Sequence, residues 1–254
     1  MRVTRAVATL CAVVLLLSSG FVACVLPPTT HALAQATSCA DARTAFLHDD
    51  MVAIADATRD YSFGTHDYDA LLREVYRVNT GASSRAAASG RALIGAPNLE
   101  GIDEDDTRSI ELAFSKASDR FVYSADVVSH LDDCYAVAHS AYVVLILIVA
   151  LAAACLALLR GTRRVGQVLF DAGAVVFGLF VALGAWAAID FDALFTVFHK
   201  VLFAQGNWTF AADSLLICAL PTEFWMGMGA VWLVVSAIAS ILSMLVGRRL
   251  LASR

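Results

Sequence analysis

Asp126, His130 and Asp133 follow one another at i, i+4 and i+7, so on a helix they share one face. An imidazole titrates near neutrality and can take or give a proton, and a carboxylate one turn away can orient or charge it. A second histidine, His199, is followed by Lys200 and set among Phe191, Phe195, Phe198 and Phe203, with Trp208 and Asp213 a little further on. A titratable ring in so apolar a setting is a candidate acid or base. Each has a plainer reading, His130 as a polar surface residue and His199 as a ring reaching for lipid headgroups. Asp126, His130, Asp133 and His199 are also Zn²⁺-type ligands, but no close-spaced pair of the HExxH kind supports a metal. There is no phosphate loop or cofactor motif, so neither cofactor nor metal is expected.

Placing these residues requires the elements that carry them. Of 254 residues 59% are apolar, with a mean hydropathy of +0.70 and only 16% charged residues; an average soluble domain is about 45–50% apolar and about 25% charged. The charges are segregated. Residues 27–140 hold 18 of the 23 acids and 9 of the 18 basic residues, a net charge of −9, against +4 for the rest. With no basic stripe beyond short Arg clusters, a nucleic-acid partner is excluded. Four apolar runs reach the length that crosses a bilayer, 6–26, 141–159, 165–189 and 224–246. Such runs must be helices, which satisfy their own backbone hydrogen bonds. Arg2 and Arg5, then Arg160, Arg163 and Arg164, then Arg248, Arg249 and Arg254 flank them. The positive-inside rule then places both termini and the 160–164 turn in the cytoplasm, and residues 27–140 and 190–223 outside. The first run also has the flanks of a signal peptide, but its apolar core is long enough to favour a retained anchor. Asp171, one turn into the third run, reads as a residue reaching the interface. The expectation is an all-α, polytopic membrane protein with four transmembrane helices and a helical extracytoplasmic domain.

In the 27–140 domain, 38–58 reads as an amphipathic helix, and Asp67-Tyr68-Asp69 precedes a second carrying Leu71, Leu72, Val75 and Tyr76. Residues 79–107 read as a loop, and Asp103-Glu104-Asp105-Asp106 as a solvated face or helix start, lacking the Gly and distal Glu of a calcium loop. From Ser124 no helix breaker occurs before Gly161, so the second membrane helix begins outside the bilayer, with Ser124 as cap and Asp126 in its first turn. His130 then stands at the outer interface. The 190–223 connection is too apolar for water and reads as an interfacial helix presenting His199 and Lys200. Cys11, Cys24 and Cys155 are membrane fillers. Cys39 and Cys134 fall in the oxidising compartment and are candidates for a disulfide, with Cys218 left over.

The order Phe-Asp192, Phe-His199-Lys, Phe203, Asn207-Trp208, Asp213-Ser-Leu-Leu-Ile217, Leu-Pro221 and Phe224, preceded by Ser129-His130-Leu-Asp-Asp133, resembles the bacterial lipoprotein intramolecular transacylase family. Tyr68-Asp-Ala-Leu-Leu72 adds to the likeness, which extends from about residue 40 to 230. Leu131 and Cys134 stand where Met and Val are usual, and Ala204-Gln205-Gly206 replaces a more polar turn. The resemblance implies an enzyme that moves the sn-2 acyl chain of a diacylglyceryl lipoprotein to the amino group of its N-terminal Cys, giving a lyso-form. It implies His130 and His199 as the catalytic pair. Lys200, Trp208, Asp126 and Asp133 are candidate substrate-binding neighbours, and the partners expected are the lipoprotein and membrane lipid. The alternative is a non-enzymatic membrane protein whose outward domain binds lipid or a protein.

Overall fold

The structure, a computed structural model, describes residues 2–39, 45–159 and 162–252; Arg160, Gly161 and Arg254 lie outside the described residues. In chain order the helices are α1 (Arg2–Val25), α2 (Pro27–Thr37), α3 (His48–Phe63), α4 (Tyr68–Ala88), α5 (Thr107–Phe114), α6 (Ala125–Leu159), α7 (Thr162–Ile189), α8 (Phe191–Leu202), α9 (Leu215–Ala219) and α10 (Thr222–Ala252). No strand occurs among the described residues. The all-α expectation holds, and among the described residues α1, α6, α7 and α10 are the four helices long and apolar enough to cross a membrane. At 35 residues, α6 far exceeds the ~20 that suffice. Its continuous apolar stretch is 141–159, so we read Ala125–Ser140 as standing outside the hydrocarbon.

The chain forms two compact units. One comprises residues 1–26, 139–198 and 228–254, and holds the apolar lengths of the four long helices. There α1 packs on α7. Trp232 Nε1 donates to Leu17 O at 2.8 Å, and Arg5 donates to Gln167 at 3.0 Å. Asp171 lines a groove with Arg2 and Arg5, consistent with a carboxylate reaching past the apolar stretch.

The other unit comprises residues 27–138 and 199–227. Pro27 and Pro28 open α2, where a missing N–H costs nothing. Of the amphipathic helix expected over 38–58, residues 40–44 lie outside the described residues and 38, 39 and 45–47 are not helical. Helix α3 starts at His48, with Asp49 and Asp50 in its first turn and Asp50 Oδ2 accepting from Leu47 N at 3.0 Å. Arg85 also reaches Asp50, at 2.7 Å, tying α4 to α3. As expected, α4 starts behind Asp67, whose side chain caps Ala70 N. It runs to Ala88, so the first ten residues of the expected 79–107 loop are helix instead. Asn79 explains this: it is fully buried, its Nδ2 donating to Val75 O at 2.8 Å and to Phe121 O at 2.7 Å. Ala82 and Ala86 are buried on the same face. The acidic run is a helix start, with Asp106 capping α5 through Ser109 N. Met51, Ile54, Leu71, Leu72, Val75, Val78 and Ile110 make the core. The turn between α3 and α4 is clamped at His66, a non-glycine residue at φ +56°. Its ring is stacked between Tyr61 (4.4 Å) and Tyr135 of α6 (3.9 Å), and Tyr61 OH donates to Asp132 at 2.5 Å. That clamp fixes the rotation of α6 about its own axis.

Candidate active site

Ser124 caps α6, its Oγ accepting from Val127 N at 3.4 Å and its carbonyl from Val128 N at 3.0 Å, and Asp126 is in the first turn. One turn on, His130 is 92% buried, pointing away from the face that carries Asp132. The last turn of α8 brings His199, also buried, to a ring-centroid distance of 6.3 Å from His130. Phe203 packs against both, at 4.8 Å from His130 and 5.7 Å from His199, with Phe210 at 5.7 Å from His130 and Trp208 at 5.1 Å from His199. The two imidazoles thus share an aromatic enclosure built from α6, the end of α8 and the segment that follows it.

Polar groups hold that segment in place. Asp133 Oδ2 accepts from Gln205 Nε2 at 2.5 Å and from Asn207 Nδ2 at 2.9 Å. Asn207 Nδ2 also reaches Ser129 Oγ at 3.4 Å. Asp133 is therefore committed to two carboxamides, so its contact with a substrate would be through them. Asp126 and Lys200 are exposed and make no ring contact with the cluster, Lys200 being one residue and so about 100° round the helix from His199. Trp208 is the expected neighbour that does join it. Gln205 and Asn207 are the members that spacing alone did not assign. Among the described residues no three His, Cys, Asp or Glu side chains converge as metal ligands do.

Cys134 provides the remaining contact. Its Sγ lies 3.7 Å from His130 Nε2, one turn along α6. The bridge expected between Cys134 and Cys39 is not formed: both are thiols, and Cys39 is held elsewhere, its N–H donating to Cys218 O at 2.9 Å. Burial, then Asp133, pushes the Cys134 thiol up to about 12, so it keeps its proton. Burial, then the neighbouring His199, pushes His130 down to about 4 against the upward pull of Asp133. His130 is thus neutral at pH 7. A protonated thiol can donate to a neutral imidazole, and in that arrangement the proton of His130 is on Nδ1. That Nδ1 is buried without a hydrogen-bond partner.

A histidine kept neutral by folding opposes protonation, so its contribution to stability is present above pH 6.5 and is lost as the pH falls toward about 4. Melting of the detergent-solubilised protein should therefore fall across that window, and His130→Leu should flatten the dependence there. An equally steep fall in the variant would assign it to other groups.

The segment from α5 to the start of α10 contains every residue of this cluster. Residues 106–225 match the family model of the lipoprotein intramolecular transacylase Lit. This is a family of enzymes, and the resemblance drawn from the second-loop motif and Ser129-His130 holds over that stretch. The whole chain is also similar in fold to a solved structure, the membrane integral lipoprotein intramolecular transacylase Lit from Bacillus cereus. The TM-score is 0.58 at 18% identity, over 98% of this chain and 94% of the other. That likeness covers the multi-pass helical membrane fold. No curated protein matches the chain.

Proposed function

We propose that this chain is an O-to-N acyltransferase that moves the sn-2 acyl chain of a diacylglyceryl lipoprotein onto the α-amine of the same molecule's N-terminal Cys. The observation that carries the reading is the pair of buried imidazoles 6.3 Å apart inside the stretch that matches the transacylase family. In this reaction the acyl carbon exchanges its bond to glyceryl oxygen for one to nitrogen. The ammonium gives up two protons, one reaching the glyceryl oxygen and the other solvent. The groups required are a base for the nitrogen and a donor for the oxygen. The Cys134 contact supports the donor role for His130, whose Nδ1–H faces no protein acceptor, and this leaves the base to His199. Holding ester and amine together supplies a further large part of the acceleration. The unit carrying the histidines would face outward, where mature lipoproteins emerge, as the Arg clusters favour.

The test is expression in a bacterium whose lipoproteins carry an ordinary diacylglyceryl group, followed by mass spectrometry of a lipoprotein N-terminal peptide. One acyl chain should move to the amine with total mass unchanged. In the same cells a cysteine at Ser84 should label from outside and one at Ala252 only after permeabilisation. Fragment ions that still place both acyl chains on the glyceryl group, in cells with verified, folded protein, would favour the alternative, a membrane protein that binds lipid or a partner without chemistry.

A further inference from the structure

The geometry assigns the Asn207 carboxamide a role of its own: we infer that its Oδ1 is the acceptor that holds the incoming amine. The inference rests on the transacylase reading above. Asn207 is held by its nitrogen end, Nδ2 donating to Asp133 Oδ2 at 2.9 Å and to Ser129 Oγ at 3.4 Å. An ionised carboxylate only accepts, so the amide cannot be turned over without losing the Asp133 contact. Its Oδ1 is consequently aimed away from Asp133, is shut off from solvent, and has no hydrogen-bond partner. A buried carbonyl left so costs about 1–3 kcal/mol. Stability alone gives no reason for it, and an arriving N–H does.

A second orphan points the same way. His130 Nδ1, on a side chain 92% buried, also has no partner. Ser129 and Asp133, which hold Asn207, flank His130 in sequence by one residue and by three. With the Cys134 thiol as donor to Nε2, Nδ1 carries the hydrogen, and in that tautomer the two unmet atoms are one donor and one acceptor. An ester oxygen satisfies the first and an amine N–H the second, and the proposed substrate carries both within one headgroup. Accepting an N–H fixes the nitrogen lone pair in direction, which is what attack on the acyl carbon requires. Asp133 is then a positioning residue that acts through Asn207, with Gln205 holding its carboxylate from the other side.

The experiment measures binding of two non-reactive dialkyl ether lipopeptides to the full chain in detergent. One has a free N-terminal Cys amine, and the other is its deamino analogue. The parent should bind the amino compound about 5–100-fold more tightly, the range of one buried hydrogen bond. Asn207→Leu should remove that gap while leaving affinity for the deamino compound within about twofold, a split that general damage to the site would not give. Gln205→Ala should keep the gap. With the ester substrate, Asn207→Leu should lower kcat more than it raises KM. If Asn207→Leu is not recovered folded, Asn207→Ser is read in its place and should narrow the gap. A parent that transacylates but binds both ethers equally, or a gap that persists in the Asn207 variant, overturns the assignment to Asn207 and leaves the transacylase reading standing. A folded parent that neither binds the ethers nor transacylates overturns both.

Discussion

His130→Ala and His199→Ala should each cut turnover of a diacylglyceryl lipopeptide by about 10²–10⁴-fold, the usual worth of a positioned acid or base. The two rings lie in one aromatic enclosure, 6.3 Å between centroids, and the reaction needs a proton taken at nitrogen and given at oxygen in the same event. The double variant should therefore be little slower than the slower single one, because groups acting as a unit are strongly non-additive. The two singles should also differ in kind. A small amine base added to His199→Ala can stand in for a lost proton acceptor, whereas in His130→Ala the missing group is a buried donor against the leaving oxygen. His139 is the internal control. It is nine residues along α6 from His130, about half a turn round the axis, and exposed. His139→Ala should keep parental turnover. Rates are compared at matched membrane levels, and lyso-form product at the parental rate from either His130→Ala or His199→Ala would remove that histidine from the mechanism.

The four spans were legible because twenty apolar residues in a row have few other uses, and α6 was legible beyond its span because nothing between Ser124 and Gly161 breaks a helix. His130 and His199 were singled out mainly by the family resemblance; that both are buried in one cluster is visible only in the structure, since the sequence alone left His130 a polar surface residue. What spacing could not reveal is which polar groups meet across long sequence separations. Asn207 and Asp133 are 74 positions apart, and only the path of the segment after α8 brings them together. The same blindness sent Cys134 toward Cys39, a choice made on compartment alone, when a partner one turn away on the same helix was available. Lys200 was drawn in by its place beside His199, and one residue of helical rotation puts it in solvent; Asp126 shares the face of His130 but lies in the first turn of α6, where it is exposed. The continuation of α4 past Asn79 was hidden because Gly, Ala and Ser read as loop formers. At Ala82 and Ala86 they are instead small residues that fit a buried face.

Small residues set the second large effect, in the unit that holds the spans. A side chain at Gly173 of α7 would put its Cβ 2.6 Å from the backbone oxygen of Ser240 and 2.8 Å from Met244 Cγ of α10. At Gly247 of α10 it would meet Gly166 O and Phe170 N, both at 2.7 Å, and Ser243 Oγ already donates to Leu169 O at 2.8 Å between the same two helices. Backbone atoms cannot swing aside, so the helices would have to part. In lipid no hydrophobic force draws helices together, and close packing with a few interhelical hydrogen bonds is what association depends on. Gly173→Leu and Gly247→Leu should each destabilise by about 1–3 kcal/mol or more. The expected readouts are a lower melting temperature in detergent and a reduced yield of monodisperse protein. Gly178, on the same helix five residues from Gly173, has nothing within 4 Å of an added Cβ, so Gly178→Leu should be recovered like the parent. Parental stability in Gly173→Leu would mean that α7 and α10 do not meet at this face. Activity lost in the glycine variants should follow the amount of folded protein, whereas the histidine variants should lose it in protein that is folded and abundant, and that contrast separates the residues that build the membrane unit from those that do the chemistry.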